Sequence, residues 1–137
     1  MAMKLKPVGS VMAGFRCDMA RVRFEYDAKK LNNNVRNFDR KLNRAMSGLF
    51  DYNALYATGW LKEHAPWHDD TGAARSGLVA LANNGRNAHE LLMAYSVTYG
   101  IWLEVAHSGQ WAVITPAMRI VGNKIMDDIR TLLRAIT

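Results

Sequence analysis

In AKKLNNNVRNFDRKLNRAMSGLFDYNALYATGWLKEH (residues 28–64) the apolar residues Leu31, Val35, Phe38, Leu42, Ala45, Met46, Leu49, Tyr52, Tyr56 and Trp60 recur at steps of three and four. At about 100° per residue they fall within one sector of roughly 120°, and Lys29, Lys30, Arg36, Arg40, Lys41 and Arg44 fall on the opposite side. The segment therefore reads as one long amphipathic helix. Asp27 is a sound N-cap, and Pro66 disfavours helix at Ala65, so both ends agree with the period.

Such a helix would run on the order of 50 Å, whereas a compact domain of this length has a radius of gyration of about 14 Å. Its apolar stripe is too long for one small chain to cover. Either the helix bends, with Gly48 the natural place, or another subunit covers the stripe. The stripe keeps its phase across Gly48, which favours a continuous helix and a partner. Leu31, Val35, Phe38, Leu42, Leu49, Tyr56 and Trp60 are accordingly the candidate subunit interface.

The chain has 137 residues, one domain's worth, half of them hydrophobic and 22% charged, which excludes a disordered or fibrous class. Eighteen Lys and Arg against 12 Asp and Glu give a net charge of +6. The surplus is uneven: residues 1–62 hold 12 basic against 5 acidic groups, and residues 63–137 hold 6 against 7. Phosphate-bearing or acidic partners are therefore plausible, with Lys29, Arg36, Arg40 and Arg44 as the candidate contacts for DNA or an acidic protein. Cys17 is the single cysteine, which excludes an intrachain disulfide or a cysteine-based metal site and suits a reducing cytoplasm. No apolar run of membrane-spanning length or signal peptide is read, so no membrane partner is expected.

Beyond the helix, Ala65 to Gly72 is a tight connector. Arg75–Asn83 and His89–Thr98 read as two strands joined by a turn at Asn84-Gly85-Arg86-Asn87, and Gln110–Thr115 reads as a third strand. A short helix is expected over Tyr99–Ala106. Arg21–Asp27 alternates Val22, Phe24 and Tyr26 with charged residues, so residues 1–27 read as an arm or an edge strand. Thr115 as N-cap and Pro116 at the first helical position open a C-terminal helix over 116–136. The expected fold is a single α+β domain. It has a long N-terminal helix over 28–64 and a β-rich segment over 73–115 with a short helix. Its antiparallel sheet has three to four strands, and the C-terminal amphipathic helix packs on that sheet.

Chemistry-bearing clusters are sparse. His64, His68, Asp69 and Asp70, with His89 or His107, match no zinc spacing, because His64 and His68 straddle Pro66. Glu104, Tyr99 and His107 lack a nucleophile elbow, phosphate loop or paired carboxylate beside them. Neither an enzyme nor a cofactor is expected. Trp60, Trp67, Trp102 and Trp111 read as packing or interface residues rather than base-stacking platforms.

Three separated segments carry a resemblance. Ala65 to Leu78, APWHDDTGAARSGL, is similar to the A-P-x-x-T-G-x-L-R-x-S segment that follows the long helix in tail-component proteins of long-tailed bacteriophages. Tyr95 to Glu104, YSVTYGIWLE, resembles that family's strand ending in Tyr with an aromatic and a Glu one turn later, and Thr115-Pro116-Ala117 resembles its opening of the last helix. The family is the tail-completion or head–tail joining group related to lambda minor tail protein Z. The matches stand in order over about residues 28–136, while the first 27 residues have no counterpart.

The resemblance implies a structural virion protein of the phage neck, assembled in the host bacterial cytoplasm. It would form a homo-oligomeric, sixfold ring at the head-proximal end of the tail. Its partners would be further copies of itself, neighbouring tail-tube, terminator or head-completion proteins, and the passing DNA. Pro66, Thr71, Gly72, Arg75, Tyr99, Trp102, Glu104 and Pro116 occupy the motif positions. Tyr99, Trp102 and Glu104 would hold the corner before the last helix, with Glu104 capping or pairing with Arg75.

Overall fold

A computed structural model describes residues 25–137, and the chain divides into two units, Met1–Lys41 and Leu42–Thr137. Of the arm or edge strand expected at Arg21–Asp27, residues 21–24 lie outside the described residues, and Glu25 to Asp27 lead directly into the first helix. One helix, α1 (Ala28–Glu63), belongs to both units and stays helical through Gly48. In the first unit Asp27 caps it: its carboxylate accepts the N–H of Lys29 at 2.9 Å and of Lys30 at 3.1 Å, satisfying two donors that a helix start leaves open. Every α1 residue from Ala28 to Lys41 is exposed.

In the second unit α1 is followed by a helical turn, α2 (Ala73–Ser76), then β1 (Leu78–Asn84), β2 (His89–Tyr95), α3 (Gly100–Val105), a 3-10 turn over Ala106–Gly109, and α4 (Ile114–Ile136). Among the described residues the sheet has two antiparallel strands, not three to four. The expected strand at Gln110–Thr115 is instead a turn and the start of α4. The first strand begins at Leu78 rather than Arg75, because Ser76 N–H bonds Gly72 O and Gly77 N–H bonds Ala73 O in a helical turn. The second ends at Tyr95 rather than Thr98.

The hairpin pairs Leu78 with Tyr95, Ala80 with Met93, Ala82 with Leu91 and Asn84 with His89 on its inner face. Period-two alternation puts those side chains toward the core and leaves Leu81 and Leu92 exposed on the outer face. Two strands alone are marginal, so the hairpin depends on helices. Thr58 of α1 binds the β1 edge, accepting Ala80 N–H at 3.0 Å, and Asn84 ties the hairpin end to Asp51 of α1 at 2.8 Å. The core joins Phe50, Ala57 and Leu61 of α1, Leu78 and Ala80 of β1, and Val113, Ala117, Val121 and Ile125 at and along α4.

The buried face of α1 is not centred on the apolar stripe read from the sequence. Phe50, Asn53, Ala54, Ala57 and Leu61 are the buried positions, rotated by about 115° at 100° per residue from the stripe through Tyr52, Tyr56 and Trp60. Small Ala54 and Ala57 let backbones approach closely, while Tyr52 and Tyr56 remain exposed with Lys124 of α4 at 5.1 and 5.0 Å from their ring centres.

Two glycines give opposite expectations for stability. A methyl group on Gly100 would fall inside the Tyr95 side chain, whereas one on Gly48 meets nothing within 4 Å. Gly100→Ala is expected to destabilise by about 3 kcal/mol through overpacking. Gly48→Ala is expected to stabilise by about 0.5–1 kcal/mol as a mid-helix replacement. Urea unfolding of both variants checks the signs.

Candidate functional site

Arg75 and Glu104 each centre a polar hub. At the first, Pro66 stops α1 and the chain doubles back through Trp67, His68, Asp69 and Asp70. Arg75, on α2, reaches back across this connector. Its guanidinium donates to the Asp69 carboxylate, to Lys62 O at 2.5 Å, to Trp67 O at 3.1 Å and to Ala65 O at 3.4 Å. The planar fork of arginine suits this task, since it serves several acceptors at once, and a cation is favourable at the carbonyl end of a helix. Asp69 also accepts Trp67 Nε1–H at 3.0 Å. The hydrogen bond from Arg75 holds its carboxyl below the usual range, against a smaller opposing effect of burial and with help from Trp67. Thr71 Oγ1 accepts Ala73 N–H at 3.4 Å, and Gly72 takes φ 72°, the left-handed conformation that redirects the chain into α2.

The second hub is Glu104, at the end of α3. Its Oε1 accepts Tyr95 Oη–H at 2.8 Å, Val113 N–H at 2.9 Å and Ile114 N–H at 2.8 Å, while Oε2 accepts Thr115 Oγ1–H at 3.1 Å and Thr115 N–H at 3.4 Å. One carboxylate thus caps the start of α4 from another element and ties it to β2. Burial opposes the charge, but the Ile114, Val113, Tyr95 and Thr115 donors outweigh it and hold the Glu104 pKa below its ordinary value. Burial, then Glu104 itself, pushes the Tyr95 hydroxyl up.

This hub explains why α4 starts at Ile114 rather than at Pro116. The cap comes from Glu104, not Thr115, and Pro116 sits third in the helix, where a missing N–H costs little. Of the two roles expected for Glu104 the cap is the one present, since Arg75 bonds Asp69 instead. The side chain that joins Glu104 at the corner is Tyr95. Tyr99 and Trp102 are exposed, Trp102 at 67%.

The other candidates separate. Leu31, Val35 and Phe38 are exposed at 47, 57 and 45%, and Tyr56 is exposed too, while Leu42, Leu49 and Trp60 are half-buried. Lys29, Arg36, Arg40 and Arg44 are exposed, with no ion pair among the described residues. His64 lies stacked on Trp60 at 4.2 Å, His89 bonds Asn84, and His107 lies 4.1 Å from Trp111. No group of three or more His, Cys, Asp or Glu among the described residues could hold a metal ion, and no described helix is long and apolar enough to cross a membrane.

Two features had weak signals in the sequence. Asn53, wholly buried, donates to Leu49 O at 3.0 Å and Asp128 Oδ2 at 2.9 Å, and Lys124 Nζ reaches the same carboxylate at 2.6 Å. A lone Asn within an apolar stretch was its only signal. The second is a cleft of about 420 Å³ between the connector and the segment from Tyr99 to Trp111, beside a left-handed turn in which His107 and Ser108 have φ 51° and 57°.

No protein-family model, curated protein or solved structure matches the chain.

The Glu104 hub dictates an acid response. A carboxylate with a depressed folded pKa contributes stability above its unfolded value, 4.5, and that contribution is lost as pH falls through the folded pKa. Glu104→Gln is expected to lose about 2 kcal/mol at pH 7, because amide N–H cannot accept from the α4 start. Its acid limb should be shallower than that of the parent, with Asp69 and Asp128 still contributing. Thermal unfolding from pH 7 to pH 3 measures both.

Proposed function

We propose that this chain is a structural subunit of a bacteriophage neck, a tail-completion or head–tail joining protein. It would act as a homo-oligomeric ring at the head-proximal end of the tail. The observation that carries the reading is the exposed apolar stripe of Leu31, Val35 and Phe38 on a 36-residue helix, a surface suited to burial against another subunit. The ordered resemblance of the connector, the Tyr95–Glu104 segment and the start of α4 supplies the phage context. The two hubs support it as devices that hold a frame rather than turn over a substrate: Arg75 and Glu104 spend their polar groups on backbone and side chains of their own fold.

In this role the ring, sixfold to match a tail, meets tail-tube, terminator or head-completion proteins and surrounds the passing DNA. The exposed cations Lys29, Arg36, Arg40 and Arg44, without ion pairs among the described residues, favour a second reading, a small DNA-binding module. That reading requires retention on DNA that falls steeply with salt.

The expected outcome is a closed oligomer in solution and a fixed copy number in purified particles, measured by native mass and quantitative proteomics of virions. Presence in infected cells with absence from particles would remove the virion role and leave an assembly factor.

A further inference from the structure

We propose that the cleft between the connector and the Tyr99–Trp111 segment seats a cationic side chain from α1 of a second copy of this chain. The inference rests on the self-association reading above and names the contact that would build it. The cleft, about 420 Å³, is lined by Trp67, His68, Asp70, Thr71, Tyr99 and Trp111 among others. Its two neighbouring carboxylates differ in availability. Asp69 is committed to Arg75 and to the Trp67 indole. Asp70 is exposed and has no hydrogen bond or ion pair among the described residues.

Aromatic side chains around a free carboxylate are the chemistry that recognises an ammonium or guanidinium group, and arginine suits it best because it stacks and pairs at once. The same carboxylate disfavours a phosphate, which argues against nucleic acid at this place. Charge complementarity points to the occupant. Residues 1–41 hold 10 Lys and Arg against 4 Asp and Glu, so they carry the whole +6, whereas residues 42–137 hold 8 of each. Lys29, Arg36, Arg40, Lys41 and Arg44 stand exposed on α1 without ion-pair partners among the described residues. A receptor on the second unit and a plug on α1 make two different patches meet. That contact is heterologous, the kind that closes into rings.

Sedimentation velocity of the full chain tests the pairing, with circular dichroism to verify folding. Asp70→Lys and Trp111→Ala are each expected to weaken self-association at least tenfold. A variant with Arg36, Arg40 and Arg44 all replaced by Glu should weaken it as much. Mixing the Asp70→Lys protein with the triple-Glu protein should restore a single contact and yield a 1:1 pair that cannot propagate into a ring, because one copy then offers an intact plug to the other's intact cleft. A folding defect would not be rescued by mixing. Assembly of Asp70→Lys at wild-type strength would overturn the cleft contact while leaving the ring intact. A wild-type chain that stays monomeric at every concentration would overturn the ring reading and the contact together. If the triple-Glu variant lost DNA retention and kept assembly, the basic face would belong to DNA and the proposal would fail.

Discussion

A 36-residue helix in a chain of 137 sets the main constraint on this protein. Burial of apolar surface is the dominant favourable term in folding, and each part of a helix needs something to pack against. From Met46 to Leu61, α1 meets that need with its own hairpin and α4, through Phe50, Ala57 and Leu61. From Ala28 to Lys41 the described residues are all exposed, and although Asp27 caps the helix there, Asn32, Asn33, Asn34, Val35 and Asn37 are weak helix formers. The apolar stripe at Leu31, Val35 and Phe38 contributes little until something covers it.

The second unit is arranged so that α1, the hairpin and α4 keep fixed relative positions despite a small core. Arg75 gathers Lys62 O in the last turn of α1 with the connector carbonyls of Ala65 and Trp67, and Glu104 gathers the amides at the start of α4. These are the two helix ends at which unsatisfied backbone groups would otherwise be left. Hydrogen bonds to charged groups are stronger than neutral ones, and each side chain serves several partners, so two residues do much of the positioning. Gly100 contributes by its lack of a side chain, since the Tyr95 ring occupies the space and so brings its hydroxyl to Glu104.

Much of this architecture was legible in the sequence where period and capping agree. The α1 boundaries, the hairpin turn and the amphipathic α4 all follow from local patterns that tertiary contacts reinforce. Three misreadings arise where the outcome turns on something the local pattern does not carry. Thr115-Pro116 reads as a helix start until Glu104 caps the chain two residues earlier. Gln110–Thr115 has strand-like residues, yet the amides of Val113 and Ile114 point into that same carboxylate. The buried face of α1 sets small Ala54 and Ala57 and polar Asn53 beside Phe50 and Leu61, a mixture that a count of large hydrophobic positions does not register. At the hubs, Arg75 and Glu104 were singled out in the sequence, while Asp69 and Tyr95 as their partners emerged only from geometry.

The claim that α1 needs another copy for its first four turns is tested most directly by amide hydrogen exchange across protein concentration. Amides of residues 28–41 should exchange quickly in dilute protein and become protected as the oligomer forms, while the Val113 and Ile114 amides held by Glu104 stay protected throughout. Full protection of residues 28–41 at dilutions where the chain is monomeric would contradict it.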